Sequence, residues 1–197
     1  MRTTRFKELL DSDVEYEFGT FTNMKPTRFM LDPSKKMIGI DTEKTKLFKS
    51  AMMPALLHFQ MEDGSVYQAI LKVGDDLRQD QLVIQIISLM NRLLLEEKLD
   101  LCLTPYSVLA TSVDAGLMEC IPSEGVGDIL RKNITINQYL EEHCTGRNVK
   151  DNYIRSCAGY CVIMYILGVG DRHNDNLLIT KDGKLESFQY LSPCIIL

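Results

Sequence analysis

One short segment of the chain is dense in side chains that can do acid–base and metal chemistry. Residues 168–176 read GVGDRHNDN, so an acid, a guanidinium, an imidazole and two amides fall within six residues. Asp171 or His173 could orient or deprotonate a hydroxyl group, and Asn176 could hold Mg²⁺ through its side-chain oxygen. The simpler alternative is a capped turn whose polar groups bond to one another.

A second candidate is a lysine near the end of a predicted strand. Side chains alternate along a strand, so Ile70 and Lys72 share one face, and Lys72 could reach phosphates while Ile70 covers an adenine ring. Asp80 lies in the first turn of the next predicted helix, where the helix dipole favours an acid. A strand lysine held by a helix acid is the arrangement that kinases use to position phosphates. A solvated lysine at a sheet edge is the simpler alternative.

A hairpin and a long helix must position Lys72. Two β-like runs, 56–61 and 66–73, are separated by EDGS, which predicts a β-hairpin. Residues 1–45 are mixed, polar and broken by prolines, so no long element is predicted there. A helix is predicted over about 79–98, with one buried face marked by apolar residues at three-to-four-residue spacing. The residues of that face are Leu82, Ile86, Leu89, Met90 and Leu93.

The loop at 168–176 follows a predicted core helix. The stretch 157–170 is apolar and predicts a buried helix over about 151–167, which the glycines at 168 and 170 would end. Apolar residues on both sides of Lys181-Asp182-Gly183 predict a second hairpin. The whole pattern predicts a β-rich lobe with one long helix, then a helical lobe, with a narrow crossing near 117–123.

Composition narrows the class of protein. The chain of 197 residues is 45% hydrophobic and 25% charged, which excludes a disordered chain, a collagen-like fibre and a coiled-coil rod. Its 22 basic and 27 acidic residues give a net charge of −5, which argues against a nucleic-acid partner. No signal-peptide pattern is present, and the fourteen-residue apolar stretch is too short to span a bilayer. We therefore predict a cytoplasmic protein with at most peripheral membrane contact.

The cysteines favour reduced thiols. None of the six forms a C-x-x-C pair, and His58, His143 and His173 lie far apart, so a metal site built from Cys and His has no spacing support. The cysteines are Cys102, Cys120, Cys144, Cys157, Cys161 and Cys194.

Three segments carry a resemblance to a known family. They read GDDLRQDQL at 74–82, SCAGYCVI at 156–163 and YILGVGDRHNDN at 165–176. Together they closely resemble the catalytic domain of phosphatidylinositol 3-kinases, and they are most similar to the class III, vacuolar-sorting type. The order Asp-Arg-His-x-x-Asn separates this family from ordinary protein kinases, whose loop reads His-Arg-Asp.

The resemblance implies an α+β, two-lobed, protein-kinase-like fold with ATP between the lobes. On this basis residues 28–121 form the kinase N-lobe, and residues 122–185 form part of the C-lobe with the catalytic loop. Residues 1–27 are a lead-in segment, and residues 186–197 form a tail unlike the family.

The resemblance also implies roles for individual residues. In the catalytic loop, His173 would act on the lipid hydroxyl, Asp171 would support it, and Asn176 would bind Mg²⁺, or Mn²⁺ in its place. The implied ATP-binding residues are Ser50 in the phosphate-binding loop, Met53 above the nucleotide, Ile70, Lys72, Asp80, Tyr106 behind the adenine pocket, Glu119 and Ile121 in the hinge, and Leu178 at the pocket floor.

The activity that the resemblance implies is transfer of the ATP γ-phosphate to the 3-hydroxyl of phosphatidylinositol. Such an enzyme would act peripherally on endosomal or autophagic membranes, and its partners would be the regulatory subunits of a class III kinase complex.

The chain departs from the family after Leu185. The family continues FHIDFG, whereas this chain reads ESFQYLSPCIIL, so that Gln189 stands where the metal-binding Asp is expected. A neutral amide cannot supply that carboxylate. We therefore expect an incomplete kinase chain with little activity of its own. The alternative is a non-catalytic isoform that binds a nucleotide or a regulatory partner.

Overall fold

A computed structural model describes residues 2–48, 53–169 and 173–187. The chain divides into two units, of which the first comprises Met1–Gln81 and Tyr106–Cys120 and the second Leu82–Pro105 and Ile121–Leu197. The α+β class predicted from the sequence is confirmed. Within the described ranges, no helix is both long enough and apolar enough to cross a bilayer.

The first unit is built on an antiparallel sheet. Its strand order is β1-β2-β4-β5-β7-β6, and β3 pairs with β4. The predicted hairpin of β4 and β5 is confirmed, and Gly64 adopts a φ of 80° in its turn. The strands are β1 (Thr27–Arg28), β2 (Lys36–Ile40), β3 (Lys46–Leu47), β4 (Ala55–Met61), β5 (Val66–Val73), β6 (Val108–Ala110) and β7 (Ala115–Glu119).

The amino-terminal segment contributes to the core of this unit. A helix, α1 (Arg2–Leu10), packs Phe6 and Leu10 against the apolar face of β4 that carries Leu57 and Phe59. The expectation that residues 1–45 hold no long element was therefore wrong, because α1 and β2 both form there. Only three of the nine residues of α1 are apolar, so the pattern by itself is weak.

The long helix forms as predicted but buries a different face. Helix α2 (Arg78–Glu96) ends two residues before the predicted limit at 98. Its fully buried apolar residues are Val83, Ile84 and Ile87. The predicted stripe is more open to solvent, since Leu82, Leu89 and Leu93 are 57%, 47% and 51% exposed. Apolar residues occur around most of α2, so periodicity does not choose between the faces.

Besides the part of α2 from Leu82 onward, the described residues of the second unit form a small sheet and three further helices. The antiparallel strand order is β10-β9-β8, and the predicted hairpin at 181–183 is confirmed. Ile129, Ile179 and Leu185 are at the centre of its core. The elements are β8 (Ser123–Gly125), α3 (Val126–Arg131), α4 (Ile136–Glu142), α5 (Val149–Ile166), a 3₁₀ turn (Asn174–Asn176), β9 (Leu177–Thr180) and β10 (Leu185–Ser187).

Helix α5 confirms the helix predicted over 151–167, but it is not buried on all sides. Ser156, Gly159, Tyr160 and Ile163 are buried, whereas four other apolar side chains are exposed. The exposed residues are Ile154, Val162, Tyr165 and Ile166. The prediction of a buried core helix is therefore confirmed for one face of α5 and wrong for the other.

The carboxyl end of α5 leads directly into the candidate catalytic loop. Gly168 adopts a φ of 62°, which favours glycine, and its N–H donates to the Tyr165 carbonyl at 3.2 Å. The N–H of Val169 donates to the Met164 carbonyl at 3.0 Å. Gly168 therefore ends the helix as predicted, while Gly170 lies outside the described residues.

Candidate functional site

Strand β5 presents Ile70 and Lys72 on one face, as the alternation of side chains predicts. Residues paired across antiparallel strands share a face, so Leu56 of β4 and Met118 of β7 lie on either side of Ile70. Val108 of β6 lies beyond Met118. These four side chains form an apolar row across the sheet. Lys72 lies two residues further along β5 on the same face, where it pairs with Gly116 of β7. The position beside Gly116 is already filled, because a Cβ atom built there would lie 2.8 Å from the Leu77 side chain.

The Lys72 ammonium is buried among carboxylates. Its side chain is 2% exposed, and Nζ lies 3.7 Å from Asp75 Oδ2. Burial lowers the pKa of Lys72, and the negative charges of Asp75 and Asp80 oppose that shift. The alternative of a solvated edge lysine is therefore wrong. A buried cation is suited to binding an anion such as a phosphate.

Asp80 is placed by the first turn of α2. It is 4% exposed and acts electrostatically on Lys72. The start of the helix is held by Asp76, whose Oδ1 accepts the Arg78 N–H at 3.0 Å and whose Oδ2 lies 2.6 Å from Arg78 Nη2. The hydrogen bonds from Arg78 lower the pKa of Asp76 to about 2. The Gln81 side chain accepts the Ala110 N–H at 2.9 Å, which ties this turn to β6.

Glu119 ends β7 and is engaged through both its backbone and its side chain. Its N–H donates to the Ser107 carbonyl at 2.8 Å, and its carboxylate Oε2 accepts the Ser107 N–H at 2.9 Å. Nearby Tyr67 has a raised pKa because it is buried and because Glu119 is negatively charged. Tyr106, the residue before Ser107, is buried. In the second unit, the Ile121 carbonyl accepts the Ser123 hydroxyl at 2.9 Å.

Met53 lies on the other side of the sheet from Ile70 and Lys72. It has a φ of 46°, and it lines a cavity of about 310 Å³ with Leu71 and Val73. Those two residues alternate with Ile70 and Lys72 along β5 and so face the opposite way. The role of Met53 above the nucleotide stays a prediction.

The catalytic-loop residues of the second unit form a capped turn. His173 is exposed, and its Nδ1 accepts the Asp175 N–H at 3.2 Å. Asn176 is buried, and its N–H donates to the His173 carbonyl at 2.9 Å. Asp175 also pairs with Arg131 of α3, with 2.9 Å between Nη1 and Oδ1. The capped turn predicted as the simpler alternative is present, and it brings His173 and Asn176 into one short turn.

Asn176 was predicted to bind a metal ion, and it lies within the described residues. Among those residues, no group of three or more His, Cys, Asp or Glu side chains could hold a metal ion. Mg²⁺ usually keeps several waters and takes one or two protein oxygens together with substrate phosphates. One amide oxygen from this turn therefore fits a magnesium ion that is held mainly by a nucleotide.

Comparison with known proteins identifies the family. The family model described as phosphatidylinositol 3- and 4-kinase matches residues 66–146 and 133–188. The chain is 46% identical over 189 residues to phosphatidylinositol 3-kinase VPS34 of Saccharomyces cerevisiae, which covers 92% of this chain and 22% of the relative. It is 51% identical over 165 residues to phosphatidylinositol 3-kinase pik3 of Schizosaccharomyces pombe, covering 78% and 21%. It is 49% identical over 170 residues to phosphatidylinositol 3-kinase VPS34 of Arabidopsis thaliana, covering 82% and 21%.

The chain belongs to the phosphatidylinositol 3- and 4-kinase family. The resemblance drawn from the three sequence segments is confirmed. The chain spans about a fifth of the length of these curated relatives.

Two side chains beside Ile70 and Lys72 were not among the residues predicted from the sequence. Met118 is fully buried beside Ile70, and Asp75 Oδ2 lies 3.7 Å from Lys72 Nζ. Asp75 could have been noticed as an acid three residues after the lysine. Met118 could not, because its place depends on the register between β5 and β7.

The remaining predicted site residues lie on β9 or outside the described residues. Leu178 lies half-buried on β9, paired with Gly125 and Glu186. Ser50 and Asp171 lie outside the described residues, as does Gln189, so their roles stay predictions.

Proposed function

We propose that this chain forms the ATP-binding and catalytic region of a lipid kinase that transfers the γ-phosphoryl group of ATP to the 3-hydroxyl of phosphatidylinositol. One observation carries the proposal. Lys72 is a buried cation that shares a strand face with Ile70 and is compensated by Asp75 and Asp80. A protein rarely buries an ammonium group in this way without a use for its charge.

In this proposal Lys72 binds phosphate oxygens of ATP. Its charge would offset the negative charge on the phosphates, and the two carboxylates would keep the ammonium protonated and in place. Ser50 would add a phosphate contact from the loop before β4. Met53, which follows that loop, would cover the nucleotide.

The adenine ring would lie against the apolar row that contains Ile70 and Met118. Its polar edge would bond to backbone groups of Glu119 and Ile121, while Tyr106 and Leu178 would complete the adenine pocket. The Ser107 N–H bonds to the Glu119 carboxylate, which supports the Glu119 carbonyl as an acceptor for the adenine amino group.

The 173–176 turn would supply the groups near the reacting atoms. His173 would contact the lipid hydroxyl or the transferred phosphoryl group, with support from Asp171, and Asn176 would hold Mg²⁺ through its amide oxygen. When bound, Mg²⁺, or Mn²⁺ in its place, neutralises charge on the phosphates. The buried, backbone-anchored position of Asn176 supports a fixed ligand oxygen.

The substrate and partners follow from the relatives. Proteins named phosphatidylinositol 3-kinase match most of this chain, so we propose phosphatidylinositol in a membrane as the phosphate acceptor. Peripheral action on endosomal or autophagic membranes, within a complex that holds regulatory subunits, belongs to the same proposal.

An ATP titration tests the nucleotide site. Isothermal calorimetry should show ATP binding that Lys72→Ala weakens by roughly tenfold or more, because a hydrogen bond between charged groups contributes about 1.5–3 kcal/mol. Lys36→Ala is the matched control, since Lys36 is also a strand lysine with a carboxylate partner, Glu62 at 3.2 Å, but is exposed. Equal effects of the two substitutions, or no ATP binding by the unaltered chain, would contradict the proposal.

A second candidate function is a non-catalytic nucleotide-binding module. It is favoured by Gln189, which stands where the family has a metal-binding Asp. Assay of phosphatidylinositol vesicles with labelled ATP separates the two functions. ATP binding together with phosphate transfer supports the kinase, whereas ATP binding without transfer, in Mg²⁺ and in Mn²⁺, supports the module.

A further inference from the structure

Arg131, Asp175 and His173 form a continuous chain of polar contacts. Arg131 is the last residue of α3, and its guanidinium bridges two carboxylates, with Nη2 2.7 Å from Asp128 Oδ1 and Nη1 2.9 Å from Asp175 Oδ1. Asp175 in turn donates its N–H to His173 Nδ1 at 3.2 Å. Helix α3 is thereby linked to the imidazole through one ion pair and one hydrogen bond.

Gly127 leaves the space that this arrangement needs. A Cβ atom built on Gly127 would lie 2.1 Å from Asp175 Oδ1 and 3.3 Å from Arg131 Nη1. Any other residue would push the carboxylate away from α3. The Arg131 guanidinium therefore holds the Asp175 carboxylate, and Gly127 leaves the room that this carboxylate fills.

The hydrogen bond to Nδ1 decides which nitrogen of His173 carries the proton. A nitrogen that accepts a hydrogen bond is unprotonated, so the proton of the neutral imidazole is on Nε2. In the other tautomer, Nδ1–H would face the Asp175 N–H, donor against donor. The nearby acceptor Asp175 Oδ2 is 3.7 Å from Nδ1, which is too far for a hydrogen bond. The cationic imidazole also carries a proton on Nε2.

We propose that Arg131 is a positioning residue that, through Asp175, holds His173 in the Nε2–H tautomer, so that His173 presents a hydrogen-bond donor to a phosphate oxygen and not a proton acceptor to the lipid hydroxyl. The inference rests on the proposed function and narrows the role of His173 within it. His173 then takes up no proton: as the bond from the lipid oxygen to the γ-phosphorus forms and the bond to ADP breaks, the hydroxyl proton passes to an oxygen of the transferred phosphoryl group.

Nuclear magnetic resonance of the chain tests the tautomer directly. The chain has three histidines, so long-range ¹H–¹⁵N spectra of uniformly ¹⁵N-labelled protein can be assigned with His58→Gln and His143→Gln. At a pH high enough that the His173 nitrogen signals no longer change, His173 should show an unprotonated Nδ1, a protonated Nε2 and a coupling between Nδ1 and the Asp175 amide nitrogen. A protonated Nδ1 in the unaltered chain would overturn the proposal.

Three substitutions test the route through Asp175. Arg131→Ala and Asp175→Ala both keep the backbone N–H of residue 175 but release it from α3, so each should weaken the coupling and shift Nδ1 and Nε2 towards the averaged values of a free imidazole. Lys132→Ala should leave both signals in place, because Lys132 is adjacent in sequence but pairs with Glu124. Unchanged His173 signals in both Arg131→Ala and Asp175→Ala would overturn the role of Arg131.

A conservative variant separates positioning from folding. Arg131→Lys keeps the charge but cannot bridge two carboxylates with a planar fork, so it should keep part of the coupling. If the Arg131→Ala protein does not fold, the coupling measured in Arg131→Lys tests the role of Arg131. A coupling in Arg131→Lys as strong as in the unaltered chain would then contradict a need for the bridge.

Addition of ATP with Mg²⁺ tests the donor role. The Nε2–H proton signal should move downfield when ATP binds. ATP binding without this shift would overturn the donor role and leave the proposed kinase function intact. Absence of ATP binding would overturn the proposed function, while the tautomer and its dependence on Arg131, read without a nucleotide, would still stand.

Discussion

Ser107 and Glu119 form two hydrogen bonds with each other, one between their backbones and one to the Glu119 side chain. The Glu119 N–H donates to the Ser107 carbonyl at 2.8 Å, as in an antiparallel ladder, but the Ser107 N–H donates to the Glu119 carboxylate at 2.9 Å. An ordinary ladder would return the second bond to the Glu119 carbonyl. The Glu119 carboxylate thus accepts the Ser107 N–H, which would otherwise bond to the Glu119 carbonyl.

Glu119→Ala should therefore weaken ATP binding. Without the carboxylate, the Ser107 N–H can turn to the Glu119 carbonyl and compete with adenine for it. We expect a roughly fivefold higher Kd, equivalent to one hydrogen bond of about 1 kcal/mol, measured by calorimetric titration. Glu119→Gln is the matched control, since its amide oxygen can still accept the Ser107 N–H. Equal binding by Glu119→Ala and the unaltered chain would show that this carbonyl does not hold adenine.

Asp80→Asn should destabilise the chain by about 2–3 kcal/mol. The substitution removes one of two carboxylates that compensate the buried Lys72 ammonium. Loss of a partner from a buried ion pair typically costs about 3–5 kcal/mol, and Asp75 remains to offset part of it. Urea unfolding gives the value. Asp75→Asn should have the smaller effect, because Asp75 is 31% exposed, and the reverse order would contradict this account of Asp80.

Acid should reduce the stability of the chain through His58. The imidazole is buried on β4, and burial lowers its pKa, with Asp41 opposing the shift and Lys44 and Lys46 adding to it. Among the described residues, Nδ1 has no hydrogen-bond partner. The unfolded chain then binds a proton as the pH falls through about 6.5, while the folded chain does not. The free energy of unfolding therefore falls as the pH drops below about 6.5, and this decrease ends below the pKa of His58 in the folded chain.

His58→Phe should reduce this acid sensitivity. Urea midpoints measured between pH 8 and pH 5 should fall less in the variant than in the unaltered chain. His143→Gln, at an exposed position on the second unit, should leave the pH dependence as it is. Parallel curves for His58→Phe and the unaltered chain would exclude His58 as the titrating group.

Ser156→Ala should destabilise the second unit by about 1–3 kcal/mol. Ser156 Oγ donates to the Asn152 carbonyl at 2.7 Å and accepts the Leu185 N–H at 2.7 Å. Alanine would leave a buried N–H of β10 unsatisfied. Ser88→Ala is the control, because Ser88 also donates to the carbonyl four residues earlier, at 2.8 Å, but sits on an exposed part of α2. Chemical denaturation should separate the two, and equal small effects would mean that the Leu185 N–H finds another partner.

The sequence by itself determined the local elements and the chemistry they carry. Alternation of side chains is a property of any extended strand, so Ile70 and Lys72 had to share a face once β5 formed. The EDGS turn, the glycine at 168 and the first-turn acid at 80 act within a few residues of their own position. The polar turn at 173–176 and the family motifs around it could be read for the same reason.

The tertiary structure alone decided which faces and backbone groups meet. Helix α2 is apolar on more than one side, so its buried face depends on what packs against it. Met118 lies beside Ile70, and Ser107 beside Glu119, only because of strand register. Long-range packing and register depend on contacts between distant segments, and local sequence patterns do not encode which of these contacts form.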